Sequence, residues 1–187
     1  DPKKLCFEGP EETPTDTRYT QPAMVSFAAG VTALLCEAGV RPQAAAGLSL
    51  GEYSALHAAG VFTAPQAIAL AAFRGAAMAD AVQDRPCGMA AVLGMDREAL
   101  AACCTAVSYL GVCEIANYNC PGQIVIAGDG GAVEAACAKA TEQGARRCVP
   151  LKVSGPFHTR LMKPAGDALR TRLVQEHLGE MSFPVVF

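Results

Sequence analysis

Tryptophan is absent, histidine occurs three times, and only 18% of the 187 residues are charged. Each scarcity closes a class of function. Beside 51% hydrophobic residues, so little charge excludes an intrinsically disordered chain, while the charges and 18 glycines that break up the apolar sequence exclude a membrane bundle. The longest apolar run, residues 23–36, is interrupted by Ser26 and Thr32 and falls short of the roughly 20 residues that span a bilayer. A net charge of -3 supplies no broad basic field, so neither nucleic acid nor an anionic membrane is expected as a partner. No Cys-x-x-Cys pair and no His–Cys pair at zinc spacing is present, so no metal site is expected. The nine cysteines, at 6, 36, 87, 103, 104, 113, 120, 137 and 148, are odd in number. In a chain this apolar they are expected as small buried thiols in a reducing cytoplasm, with Cys103 and Cys104 as adjacent helix positions. The length suits one domain, or a domain with a small appended lobe, and excludes two large ones.

The chain begins Asp1-Pro2-Lys3-Lys4, without methionine or signal peptide, and reads as a fragment. Residues 1–19, rich in Pro, Glu, Asp and Thr, are expected to form a surface connector. Thr20 is expected to cap a helix with Pro22 in its first turn; Met24, Phe27, Ala28, Val31, Leu34 and Leu35 recur at helical spacing up to Gly39. A short strand over 44–48, a sharp turn at Ser49 and a helix over 50–59 stopped by Gly60 follow. Thr63 and Gln66 form a capping box for a helix to about Val82, and residues 83–88 look like a crossover. Beyond it the pattern predicts a strand over 89–93, a helix over 97–107, strands over 113–118 and 123–127 joined by a turn at 119–122, a helix over 132–143 and a strand over 147–153. That is a β-α-β-β-α-β order. A helix over 161–179 and a strand over 183–187 close the chain. The expected division is 1–85 and 154–187 as one lobe, with 86–153 inserted as a second.

Gly47-Leu48-Ser49-Leu50-Gly51 is a G-x-S-x-G motif with an apolar strand before it and a helix after it. Flanking glycines let the backbone turn tightly, so the Ser49 hydroxyl projects at a helix amino terminus and the Leu50 amide faces a developing oxyanion. Glycine-flanked serines also arise as plain helix caps, and the five residues alone leave both readings open. A serine nucleophile needs a base. His57 and His177 fall in helical patterns and read as ordinary helix residues. His158 instead follows the last strand of the inserted lobe in a loop, where catalytic groups collect, although an inert loop histidine fits equally. Arg74 has Leu70, Ala71, Ala77 and Met78 as its helix neighbours, none of which pairs with it. Its guanidinium therefore calls for an acceptor from elsewhere, either a salt-bridge partner in the protein or a substrate carboxylate.

Four blocks together resemble the malonyl-CoA:acyl carrier protein transacylase family: Gly-Leu-Ser-Leu-Gly-Glu-Tyr-Ser-Ala-Leu at 47–56, Phe73-Arg74-Gly75 with Met78, Asn117-Tyr118-Asn119-Cys120-Pro121-Gly122-Gln123-Ile124-Val125-Ile126-Ala127-Gly128, and Ser154-Gly155-Pro156-Phe157-His158. They occur in family order along essentially the whole chain. The resemblance implies an α/β fold with an α/β-hydrolase-like large lobe and an inserted ferredoxin-like small lobe. It implies an acyltransferase of fatty acid synthesis that moves malonyl from malonyl-CoA to acyl carrier protein, with no cofactor besides the coenzyme A thioester substrate, acting in the cytoplasm as a monomer. By position Ser49 matches the acylated nucleophile, His158 its base, Arg74 the holder of the malonyl carboxylate and the Leu50 amide an oxyanion donor. Asn117, Asn119 and Gln123 fall in a motif that faces the cleft. Phe157, directly before the histidine, matches the phenylalanine that goes with malonyl rather than methylmalonyl selection in related polyketide synthase domains. Leu48 stands where the family most often has histidine. The resemblance also implies a preceding strand and glycine- and glutamine-rich loop, and a segment past Phe187, so both ends are expected to be missing.

From 139 to 172 the chain carries Lys139, Arg146, Arg147, Lys152, Arg160, Lys163, Arg170 and Arg172 against Glu142 and Asp167, which suits docking of an acidic carrier protein or CoA phosphates, or simply a solvated surface. Two rival readings share the residues: a serine hydrolase of thioesters, which needs a third acidic member and has no use for Arg74, and a non-catalytic acyl-carrier-binding remnant.

Overall fold

The computed structural model describes residues 16–83, 85–153 and 155–187. Asp16 starts its first helix: the carboxylate accepts a hydrogen bond from the Arg18 amide, and α1 runs Thr17–Glu37. This corrects the expected start at Thr20, because an aspartate caps at least as well as a threonine and comes first in the chain. Pro22 accordingly lies inside α1, where Ser26 Oγ donates to its carbonyl. The part of the expected connector at 1–15 lies outside the described residues, and Thr17 is buried. The helix gives way near Gly39, whose φ is 84°.

The described residues divide into two units, one ending at Ala77 and resumed over Ala168–Phe187, the other Met78–Asp167. In the first, β1 (Ala45–Ala46) pairs in parallel with β6 (Val185–Val186), both shorter than the sequence pattern suggests. The helix α2 (Gly51–Ala58) ends before Gly60, at φ 89°. In front of α3 (Ala64–Asp80) the capping box forms: the Thr63 amide donates to Gln66 Oε1 at 3.1 Å and the Gln66 amide to Thr63 Oγ1 at 3.4 Å. Leu70, Ala67 and Ala71 of α3 pack with Val25, Tyr53, Val61 and Phe62 into one apolar core. Leu169 and Leu173 of α6 (Lys163–Leu173) lie against it.

The helix expected over 161–179 is shorter, with a 3₁₀ turn at Arg160–Met162 before α6 and an irregular chain after Leu173. Long-range bonds draw that chain out of the helix. Gln66 Nε2 donates to the His177 carbonyl at 3.0 Å, and the Gly179 and Ser182 amides donate to the Val61 and Ala59 carbonyls. His177 is therefore not a helix residue.

The second unit holds β2 (Cys87–Leu93), α4 (Arg97–Ala106), β3 (Cys113–Cys120), β4 (Gln123–Asp129), α5 (Gly130–Glu142) and β5 (Arg147–Pro150). The strands form one antiparallel sheet in the order β3-β4-β2-β5. Val92, Leu100, Ile126, Val107, Ala132 and Ala136 bury its core. Strands β3 and β4 run past their expected ends, so the turn shrinks to Pro121-Gly122 and Asn119 and Cys120 belong to β3. The register of β3 on β4 slips twice, between Ile115 and Asn117 and between Tyr118 and Cys120, leaving Asn119 at an irregular position. At the other end, Asp129 accepts two bonds from Arg85, at 2.6 and 2.9 Å, and one from the Val112 amide, and α5 starts directly after it without a side-chain cap. Of the expected crossover, Asp84 lies outside the described residues and Cys87 and Gly88 belong to β2.

The architecture is α/β, with one parallel and one antiparallel sheet. Among the described residues no helix is long and apolar enough to cross a membrane, and the cysteines are free thiols. Cys103 and Cys104 are both buried positions of α4, as their spacing suggests. Burial, with Cys148 beside it, pushes the Cys137 thiol up to about 12, far from a thiolate nucleophile at neutral pH.

Gly75 is where α3 meets α1: a Cβ there would strike the Thr17 carbonyl oxygen and come within 3.2 Å of Arg18 Cα. Glycine to alanine inside an ordinary helix gains about 1 kcal/mol. Here the sign is expected to reverse, Gly75→Ala lowering stability by about 1–3 kcal/mol in urea titration because backbone must shift to admit one carbon.

Candidate active site

The turn between β1 and α2 is as tight as its glycines allow. A Cβ on Gly47 would collide with the Glu52 amide and the Gly51 carbonyl carbon, so only glycine lets the chain double back at this point. The Leu48 carbonyl accepts from the Gly51 amide at 3.0 Å, and the Ser49 carbonyl from the Glu52 amide at 3.3 Å. Between these bonds Ser49 takes φ 55°, in the left-handed region that residues with a Cβ avoid. Leu50 stands directly before α2, at the positive end of the helix.

Arg74 reaches this turn from α3. One guanidinium nitrogen donates to Ser49 Oγ at 2.8 Å and the other terminal nitrogen to Gln21 Oε1 at 2.7 Å. Gln21, only 5% exposed, donates its own amide to Thr17 Oγ1 at 2.6 Å. The guanidinium carbon also lies 5.9 Å from the centre of the Tyr53 ring, whose face attracts a cation. Among the described residues Arg74 therefore donates to neutral oxygens of α1 and of the turn, not to the salt-bridge carboxylate that was one of its two expected acceptors. Burial lowers the Arg74 pKa, opposed by Tyr53 and Glu52. Burial likewise raises the Tyr53 pKa, opposed by Arg74.

Gln21 and Tyr53 were not expected from the sequence pattern. The signal for Gln21 is present all the same: it lies four residues before Val25 and four after Thr17, so helical periodicity puts a polar amide on the buried stripe of α1.

The remaining candidates lie in the second unit. His158 is exposed and takes φ 62°, and among the described residues it and Ser49 are the non-glycine residues with positive φ. Phe157 packs against Met89, Val125 and Ala127, and the buried Thr159 donates its hydroxyl to the Pro156 carbonyl at 2.7 Å. Ser154 lies outside the described residues. Across the β3–β4 hairpin Asn119 Nδ2 donates to Gln123 Oε1 at 3.0 Å, while Asn117 pairs in register with Val125. Ser49 and Arg74 are therefore brought together in one unit, and Asn119 and Gln123 in the other. His57 holds its Nδ1 3.0 Å from the Phe62 carbonyl, a structural contact. Of the eight basic residues over 139–172, Arg160 pairs with Glu114, Lys163 with Asp167 and Arg172 with Glu176, each by a salt bridge. Among the described residues no group of three or more His, Cys, Asp or Glu side chains is arranged to hold a metal ion.

The acyl transferase domain family matches residues 4–184 of this sequence. The malonyl CoA-acyl carrier protein transacylase of Bacillus subtilis strain 168 is 44% identical over 183 residues, which is 97% of this chain and 58% of that protein. Its Escherichia coli K12 counterpart is 40% identical, over 97% of this chain and 59% of its own length. Among solved structures, a type II PKS acyl-carrier protein in complex with its malonyl-transacylase superposes with a TM-score of 0.95 at 41% identity, over 100% of this chain and 60% of that one. The Streptococcus pneumoniae MCAT crystal structure gives 0.90 at 45%, over 100% and 61%. The chain spans 58% of the B. subtilis protein and similar shares of the others.

The left-handed backbone at Ser49 has a measurable signature. Ser49→Gly and Ser49→Ala both delete the hydroxyl that Arg74 binds, so their difference isolates the backbone. The glycine variant is expected to be the more stable by about 1 kcal/mol in paired denaturant titrations, the reverse of the order inside a helix.

Proposed function

Because the chain belongs to the acyl transferase domain family, we propose that it moves a malonyl group from coenzyme A to the pantetheine thiol of an acyl carrier protein, a step of fatty acid synthesis, through a malonyl ester on Ser49. The observation that carries this reading is the Arg74 guanidinium 2.8 Å from Ser49 Oγ. A fixed positive charge beside the nucleophile suits an acyl group that ends in a carboxylate, and a general thioester hydrolase has no use for it.

In this reading His158 accepts the Ser49 proton as the oxygen attacks the malonyl thioester carbonyl. The Leu50 amide stabilises the tetrahedral oxyanion, the carbon–sulfur bond breaks, and the proton passes to the departing CoA thiolate. Arg74, tethered by Gln21, gives its donors to the malonyl carboxylate. The carrier-protein thiol then attacks the ester, His158 takes the thiol proton and returns it to Ser49, and the malonyl thioester leaves on its new carrier. Phe157 narrows the site for malonyl against a branched acyl group, while Asn117, Asn119 and Gln123 line the approach. The partners are malonyl-CoA and acyl carrier protein, and the five basic side chains over 139–172 outside the three salt bridges described above suit an acidic carrier.

The same reading takes the first unit as α/β-hydrolase-like, supported by the strand, Ser49 turn and helix in succession, and the second as ferredoxin-like, supported by the β3-β4-β2-β5 order. Residues 86–153, which lie within the compact unit Met78–Asp167, then form the inserted lobe proper, and 1–85 with 154–187 the larger one.

Intact-mass and peptide analysis after incubation with malonyl-CoA tests the proposal: a malonyl adduct on Ser49, discharged by carrier protein, is expected. Rapid release of free malonate without transfer favours the hydrolase, and no adduct the non-catalytic remnant. Arg74→Ala is expected to slow malonylation by about 10- to 100-fold, the worth of a charge-assisted hydrogen bond, while acetyl transfer improves relative to it. Equal loss with both donors overturns the role of Arg74.

A further inference from the structure

His158 keeps a side chain in a backbone conformation that favours glycine, and such a residue holds only where its surroundings over-determine it. Two anchors flank it. On one side Phe157 packs onto the apolar face formed by Met89, Val125 and Ala127. On the other, the chain enters the 3₁₀ turn Arg160–Met162, whose leading residue Thr159 makes no side-chain cap, since its hydroxyl is spent on the Pro156 carbonyl. The opening amide of that turn finds its acceptor elsewhere: Glu114 of β3 places Oε2 2.9 Å from the Arg160 amide, while Oε1 lies 3.2 Å from the Arg160 guanidinium. One carboxylate thus grips both backbone and side chain two residues after His158.

We infer that Glu114 is a positioning residue for His158: it caps the turn that follows the imidazole from a distant strand and holds the loop in its left-handed bend. The inference rests on the reading of His158 as the base. The two contacts are unequal. The Arg160 side chain is 66% exposed, so its ion pair with Glu114 is screened and contributes little. A carboxylate on a backbone amide at the start of a turn is the directional element, and an amide oxygen at the same place preserves it.

The test combines Glu114→Ala, Glu114→Gln, Arg160→Gln and His158→Ala in the whole chain. It reads the rate of Ser49 malonylation by quenched mass spectrometry and the hydrogen exchange of the Arg160 amide. Glu114→Ala is expected to lower the maximal rate about 30-fold with little change in KM for malonyl-CoA, while Glu114→Gln and Arg160→Gln stay within about threefold of wild type. In the His158→Ala background Glu114→Ala is expected to add no further loss, because it acts through the imidazole. The Arg160 amide should exchange at least about tenfold faster in Glu114→Ala and keep its protection in Glu114→Gln. An undiminished effect in the His158→Ala background, or unchanged Arg160 protection, overturns the inference. If Glu114→Ala does not fold, Glu114→Leu takes its place, and failure of both marks a purely structural residue and overturns it as well. Wild-type malonylation that His158→Ala leaves intact, or no malonylation at all, sinks the assignment of the base instead, and Arg160 exchange then decides separately whether Glu114 holds the loop.

Discussion

The bond between the Arg74 guanidinium and Ser49 Oγ depends on a chain of tight fits that begins at a glycine. Gly75 lets the backbone of α3 touch α1 at Thr17, and that approach brings Gln21 into reach of Arg74. Gln21 in turn is held by Thr17 Oγ1. A half-buried guanidinium is costly unless its donors are met, and here neutral oxygens meet them without cancelling the charge. The contacts that make burial of Arg74 tolerable also aim it at the serine.

Strain is placed with the same economy. Ser49 and His158 both take left-handed φ, and each is braced by a different kind of bond. Ser49 is braced locally, by the two amide bonds that start α2 and by the bare backbone of Gly47. His158 is braced remotely, by apolar packing of Phe157 and by a carboxylate from β3. Residues in sparsely populated backbone regions gather at functional sites because the rest of the fold offsets a cost of about 1–3 kcal/mol each.

Much of this was legible in the residues. Alternation and turn chemistry marked the four strands and two helices of the antiparallel unit in order, and the G-x-S-x-G turn marked Ser49, because both are short-range patterns. What escaped notice depends on partners far away in sequence. Gln21 is one polar side chain in an apolar helix until Arg74 arrives 53 residues later. Glu114 is an ordinary strand glutamate until Arg160 arrives 46 residues later. The helix expected to reach residue 179 stops at Leu173 because Gln66 and the Ala59 and Val61 carbonyls compete for its backbone, a contest that local propensity does not see. The first helix starts early because Asp16 outranks Thr20 as a cap, a preference already carried by two residues four apart in the sequence.

The pairing of β1 with β6 has a consequence for how the polypeptide emerges from the ribosome. The unit that carries Ser49 is discontinuous: Ala45 and Ala46 wait for Val185 and Val186, while Met78–Asp167 is one unbroken stretch. Vectorial synthesis therefore delivers Met78–Asp167 while Ala45 and Ala46 still lack Val185 and Val186, so the antiparallel unit can close before the parallel pair forms.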